Sequence, residues 1–138
     1  MTAFPPAIDA QPSFPTQIDL LHAACGLTET WSPQIVARVS DQYVKVAKLQ
    51  GSLVWHTHDA EDELFLVLKG RLRIEYQDRA TVSLDAGSIH VVPRGVAHNP
   101  VAESECLIAL IETVTTQHTG QIETPRTRSV SQQLGSIE

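Results

Sequence analysis

Three histidines and a glutamate stand out from the sequence for what their types and spacing can do. His56 and His58 are separated by one residue in a stretch, Leu53–His58, that reads as a β-strand. Side chains two apart on a strand point to the same side, so the two imidazoles project together. Glu63 opens the next strand after a short turn and can bring its carboxylate back to the same neighbourhood. His98 follows the turn at Pro93-Arg94-Gly95, at the start of a returning segment. Three imidazole nitrogens and one carboxylate oxygen make a mixed donor set that suits one divalent iron, manganese, nickel, cobalt or zinc ion. In an octahedron such a set leaves positions open for water, oxygen or a bidentate ligand.

Other residues compete for roles. Glu61 is an alternative carboxylate, but Asp59, Glu61 and Asp62 read equally well as solvated turn residues. His22 lies on a short helix, His90 shares a strand face with Val92, and His118 sits near the tail; all three read as non-ligands. Four residues are candidate substrate contacts. Phe65 shares the face of Glu63, as does Val67, and lines the interior. Lys48 and Tyr76 have a strand parity that can aim them inward. Arg94, in the turn before His98, can meet an anionic group, against the plainer reading of a surface ion pair. Trp55 faces away from His56 and reads as packing.

The elements that must position these groups are mostly strands. Residues 1–15 carry four prolines, Pro5, Pro6, Pro12 and Pro15, and read as an extended arm. Thr16 to Gly26 reads as a short helix capped by Thr16, with Leu20, Leu21 and Ala24 as its apolar stripe. From Gln34 the pattern is β: Gln34–Val39, with Val36 off the alternation, then Tyr43–Leu49, Leu53–His58, Glu63–Leu68, Arg71–Tyr76, Thr81–Leu84, Ile89–Val92 and Glu105–Glu112. Turn residues punctuate these runs at Gly51-Ser52, Lys69-Gly70, Gln77-Asp78, Ala86-Gly87 and Asn99-Pro100. Many short strands at close spacing predict a sandwich or barrel. The organisation expected is an arm and helix over 1–33, one β-barrel domain over 34–115 and an irregular tail over 116–138.

Bulk properties narrow the partners. A chain of 138 residues suits one domain with a core of its own. A net charge of −6 repels nucleic acid and anionic lipid, so neither is an expected partner. Cys25 and Cys106 are far apart, with no metal-binding spacing, and read as two buried reduced thiols. No basic stretch followed by an apolar run opens the sequence, and no run of 18 apolar residues occurs; a cytoplasmic location is expected.

Two motifs then carry a resemblance. His56, His58, Glu63 and Gly70 fit H-x-H-x4-E-x6-G, and Gly87, Pro93, Gly95 and His98 fit G-x5-P-x-G-x2-H. Together, at this separation, they resemble the two signature motifs of the cupin superfamily over about residues 34–115. The wording around them is similar to small bacterial cupins related to the mannose-6-phosphate-isomerase-like group. The resemblance implies a double-stranded β-helix barrel and a metal held by His56, His58, Glu63 and His98. Two departures occur. Four residues separate Gly51 from His56 where the family motif has five, and Ala102 stands where the second motif ends in asparagine.

The function expected is a metal-dependent enzyme on a small oxygen-rich molecule, of dioxygenase, isomerase or lyase type. The alternative is a non-catalytic module that binds a sugar or organic acid through the metal. No nucleophile–base pair has supporting spacing, and no helix-turn-helix is visible. A homodimer is expected, because an open edge strand is a liability that twofold pairing relieves; the proline-rich arm is a candidate for the exchange.

Overall fold

The computed structural model describes residues 16–117, 119–120 and 127–134. The expected arm over 1–15, His118 and parts of the tail lie outside the described residues. Among the described residues one helix, α1 (Leu20–Cys25), precedes seven strands: β1 (Gln34–Val39), β2 (Gln42–Ser52), β3 (Glu63–Lys69), β4 (Arg71–Tyr76), β5 (Val82–Asp85), β6 (Ile89–Val92) and β7 (His98–Thr113). A short helix, α2 (Val130–Leu134), falls in the stretch read as an irregular tail.

The strands form an antiparallel sheet in the order β1-β2-β7-β3-β6, with β4 on β7 and β5 on β4. The long strand β7 makes this possible. Its first residues pair with β4 (His98 with Tyr76, Val101 with Arg73), and its later residues run between β2 and β3. The sheet therefore curls around one interior, which is the double-stranded β-helix that the motifs imply. That interior holds the main core: Trp31, Phe65, Val67, Leu72, Ile74 and Ile108 among others, all buried. A second, smaller cluster lies outside the sheet, where Ala24 of α1 packs on Val36, Val46 and Leu107.

Several expected boundaries move, each for a local reason. Asp19, not Thr16, caps α1; its carboxylate accepts from the His22 amide at 3.0 Å. Val36 breaks the alternation because β1 bulges between Ile35 and Ala37, so Ile35 and Val36 are both buried. The segment Leu53–His58 is not a strand. Only His56 bridges, to His98. Pro100, opposite this segment, has no N–H to give, and the Val54 carbonyl accepts from the His56 ring instead. The last strand starts at His98 rather than Glu105, since Pro100 sits where β7 pairs with β4 and does not end it. Cys25 is exposed and only Cys106 is buried; both are free thiols.

Gly70 shows how tightly the hairpin between β3 and β4 is built. Its φ is +92°, and a Cβ there would lie 2.9 Å from the Glu105 carbonyl oxygen. Backbone sits there, so the contact cannot be relieved by a side-chain rotation. Gly70→Ala is expected to destabilise the fold by about 1–3 kcal/mol, read as a lower urea midpoint at unchanged slope.

Candidate metal centre

The structure brings His56, His58, Glu63 and His98 to one point in the interior. Their nearest ligand atoms all lie within 4.8 Å of one another, and all four residues are buried. His58 and His56 hang from the extended segment between β2 and β3, Glu63 opens β3, and His98 opens β7. The bridge between His56 and His98, with both amide-to-carbonyl bonds at 3.0 Å, locks two of the donors to each other through the backbone. Glu63 Oε1 is 3.4 Å from His58 Nε2 and 3.6 Å from His98 Nε2. Donors around an ion with bonds of about 2.1 Å stand about 3.0–3.5 Å apart when adjacent and about 4.2 Å apart when opposite. The cluster is thus a few tenths of an ångström wider than a closed coordination shell.

Hydrogen bonding fixes which ring nitrogen faces the centre. His56 Nδ1 lies 2.7 Å from the Val54 carbonyl and His98 Nδ1 lies 2.9 Å from the Val96 carbonyl. A carbonyl only accepts, so each Nδ1 carries the hydrogen and each Nε2 presents a lone pair. The Nε2 atoms of His56, His58 and His98 are buried with no hydrogen-bond partner among the described residues. Buried ring nitrogens without partners are costly and rare. Three of them converging beside a carboxylate fit a divalent cation, and this cluster can hold one.

The electrostatics agree with that arrangement. Burial, then the neighbouring His98, lowers the pKa of His56 from 6.5 to about 4, so it stays neutral. His58 moves the other way: burial opposes its charge, but the Glu63 carboxylate outweighs burial and raises it. Burial would raise Glu63, yet Glu112, His58 and His98 around its carboxylate hold it well below the usual carboxylate range.

Behind Glu63 lie two residues that strand reading passed over. Glu112 of β7 is the cross-strand partner of Glu63. Lys45 of β2 reaches Glu112 with Nζ 2.8 Å from Oε1, and both side chains are fully buried. Burial pushes Glu112 well above the usual range against the pull of Lys45, and the charge of Glu63 adds to the rise. The available signal was a lysine among Val44, Val46 and Ala47 and a glutamate after Leu110-Ile111, both within apolar strands.

A narrow cavity opens on the cluster. Its empty volume is about 340 Å³ with its open mouth included. Trp31, Leu49, Leu53, Phe65 and Leu110 form walls, with His56 and Glu63 at one end. Phe65 is therefore where sequence parity put it. Tyr76 is buried in the interior with its ring 6.4 Å from that of His98, and its hydroxyl lies 2.7 Å from His90 Nε2. Two candidate contacts are corrected. Lys48 faces the outside of the sheet, 3.7 Å from Glu105, because Lys45, Ala47 and Leu49 take the inward parity of β2. Arg94 is exposed in the β6–β7 turn, away from the cavity lining, with its amide donating to Asp62. Glu61 is also outside the cluster and accepts from Thr115. Trp31 and Leu53 were read only as chain breaks or strand residues, and nothing in their spacing marked them as cavity walls.

Comparison with known proteins agrees with this architecture. The family model described as Cupin domain matches residues 42–112. The uncharacterized protein YdbB of Bacillus subtilis is 35% identical over 80 residues, covering 58% of this chain and 71% of that protein. The crystal structure of a cupin-2 domain containing protein from Shewanella frigidimarina superposes with a TM-score of 0.67 at 38% identity, over 70% of this chain and 93% of that one. Protein NMB1881 from Neisseria meningitidis superposes with a TM-score of 0.65 at 30% identity, over 70% of this chain and 98% of that one. With its curled antiparallel sheet, its interior His-His-Glu-His cluster and these matches, the chain belongs to the cupin family.

Proposed function

We propose that this chain binds one divalent transition metal through His56, His58, Glu63 and His98, and that it is a metal-dependent enzyme on a small oxygen-bearing molecule, of dioxygenase, isomerase or lyase type. The observation that carries the reading is the set of three unpartnered imidazole nitrogens converging with a carboxylate at the end of a cavity. A bound ion would supply Lewis-acid polarisation of a ligand oxygen, or redox chemistry with iron or manganese. The chain's own residues do the rest. Leu49, Leu53, Phe65 and Leu110 exclude water and strengthen every polar contact at the cluster. A ligand entering this slot presents oxygen to the cluster and an apolar body to these walls, with Phe65 and Tyr76 as its candidate contacts.

A binding role without turnover has one observation in its favour. Among the residues lining the cavity, the titratable ones are His56 and Glu63, both of which the metal would occupy. Assay of the iron- and manganese-loaded protein with sugars, keto acids and catechols separates the two readings. Turnover supports the enzyme, whereas saturable binding with no product supports the module.

The reading includes a homodimer. The outer sheet face carries an apolar row across β2, β7, β3 and β6 (Val44, Ile111, Leu64 and Val91), and Ile89 and Val91 are exposed on β6, which pairs only with β3 among the described strands. A single-chain mass by light scattering at micromolar concentration would refute the pairing.

Metal content tests the ligand set. His56→Ala and His98→Ala are each expected to remove most of the metal carried by protein purified without chelators, measured by elemental analysis; unchanged content in both would sink the assignment. The pH dependence follows from His58. Its pKa is raised above 6.5 by the Glu63 carboxylate, and a ligand nitrogen must lose the proton that it carries below that pKa. Affinity is expected to rise with pH through and above about 6.5 and to approach a plateau once His58 is neutral. Calorimetry in buffers of different ionisation enthalpy should record proton release on binding that is largest at low pH and fades as pH rises; binding with no proton release at any pH from 6 up would contradict it.

A further inference from the structure

Glu63 is one end of a buried row of charged groups that crosses three strands. Glu112 stands directly opposite it on β7, and Lys45 lies diagonally across from Glu112 on β2, all on the inward face. The row is continuous: the Lys45 ammonium is 2.8 Å from Glu112, Glu112 faces Glu63 directly across the β3–β7 ladder, and Glu63 meets His58 and His98. Lys45 Nζ also stands 6.0 Å from the Tyr43 ring centroid. None of Lys45, Glu112 and Glu63 is more than 2% exposed.

A pair like this is a poor structural device. Its desolvation penalty rivals its attraction, and apolar side chains of the same volume commonly serve stability as well or better. Yet the pair occupies positions flanked by Val46, Ala47, Ile108 and Leu110, where aliphatic residues would pack. Its inner end meets the sole carboxylate of the metal cluster. A carboxylate on a short side chain can rotate its oxygens away from the centre unless another group holds one of them.

We infer that Lys45 and Glu112 are positioning residues for Glu63: the buried pair anchors one side of its carboxylate so that Oε1 faces His58 and His98 as a metal ligand. The inference rests on metal binding at that cluster and deepens it by extending the centre to two residues that touch no metal. Lys45 holds Glu112 in place, and Glu112 holds Glu63. Removing the support frees the carboxylate and weakens the site without removing any ligand.

The test uses full-length protein, cobalt(II) as the probe, chelator competition for affinity and the visible absorption of bound cobalt. Lys45→Met/Glu112→Leu removes both charges together, so neither is left buried alone. It is expected to keep the thermal midpoint of the metal-free wild type or exceed it, to bind cobalt about 10- to 100-fold more weakly, and to shift the cobalt spectrum toward that of Glu63→Gln. Glu112→Gln keeps a donor for Glu63 and an acceptor for Lys45, and is expected to recover most of the lost affinity. Should the double variant fail to fold, Glu112→Asp takes its place: it keeps the charge and withdraws the carboxyl by one methylene, and is expected to weaken cobalt binding by at least about tenfold. Wild-type affinity and spectrum in the double variant, or in Glu112→Asp where that stands in, would overturn the inference while leaving the metal site intact. Wild-type protein that binds no cobalt would overturn both.

Discussion

A polar nitrogen buried without a partner costs about 1–3 kcal/mol, and this barrel places three of them at one point. The rest of the interior is arranged around that constraint. The Val54 and Val96 carbonyls take the Nδ1 hydrogens and so force each Nε2 inward. The backbone bridge between His56 and His98 prevents the two rings from turning away together. Gly120 presses the chain after β7 against the same segment: a Cβ on it would meet the Thr57 carbonyl and the His56 side chain. Each of these features keeps a donor aimed at the others. None of them improves the packing of an apolar core, which would be simpler with leucine at all four positions.

Strand β7 is where fold and site become one problem. It supplies His98 at its start and Glu112 near its end, and it changes partners between them. The change of partners curls the sheet, and the curl carries the two ends of one strand to the same interior. Bulges at Leu49/Gly51 on β2 and Val67/Lys69 on β3 reset the register where the strand turns. A flat sheet would leave His98 and Glu112 some fourteen residues apart along a line, roughly 45 Å at about 3.3 Å per residue. The curvature therefore does the work of bringing together groups that sequence separates.

That division explains what the sequence made legible. His56, His58, Glu63 and His98 were readable because residue type and short-range spacing carry the information, and both survive even though Leu53–His58 never becomes a ladder strand. Phe65 followed from Glu63 by alternation alone. Alternation along β2 likewise groups Tyr43, Lys45, Ala47 and Leu49 on one face. What alternation cannot supply is which face turns inward, and so Lys48 stood as an inward-facing candidate although Lys45 lies on the face that turns in. The exposure of Arg94 depends on the path of the β6–β7 turn, and the walls at Trp31 and Leu53 depend on which segments close over the barrel mouth. These are long-range facts with no local signature. The boundary at Glu105 failed for a different reason. Proline usually ends a strand, but here Pro100 falls where β7 pairs with β4, a position that tolerates a missing donor.

The buried lysine and glutamate mark the limit of reasoning from stability alone. Taking one member of such a pair away typically costs about 3–5 kcal/mol, while replacing both with apolar groups is often neutral. A fold under selection for stability alone has an accessible route to lose the pair. The low dielectric that makes the pair expensive is also what makes it effective: around the cluster, apolar side chains exclude the water that would otherwise solvate and loosen Glu63. An apolar cavity and a row of buried charges are therefore parts of one arrangement. The walls raise the strength of each polar contact, and the row from Lys45 through Glu112 directs that strength onto a single carboxylate oxygen.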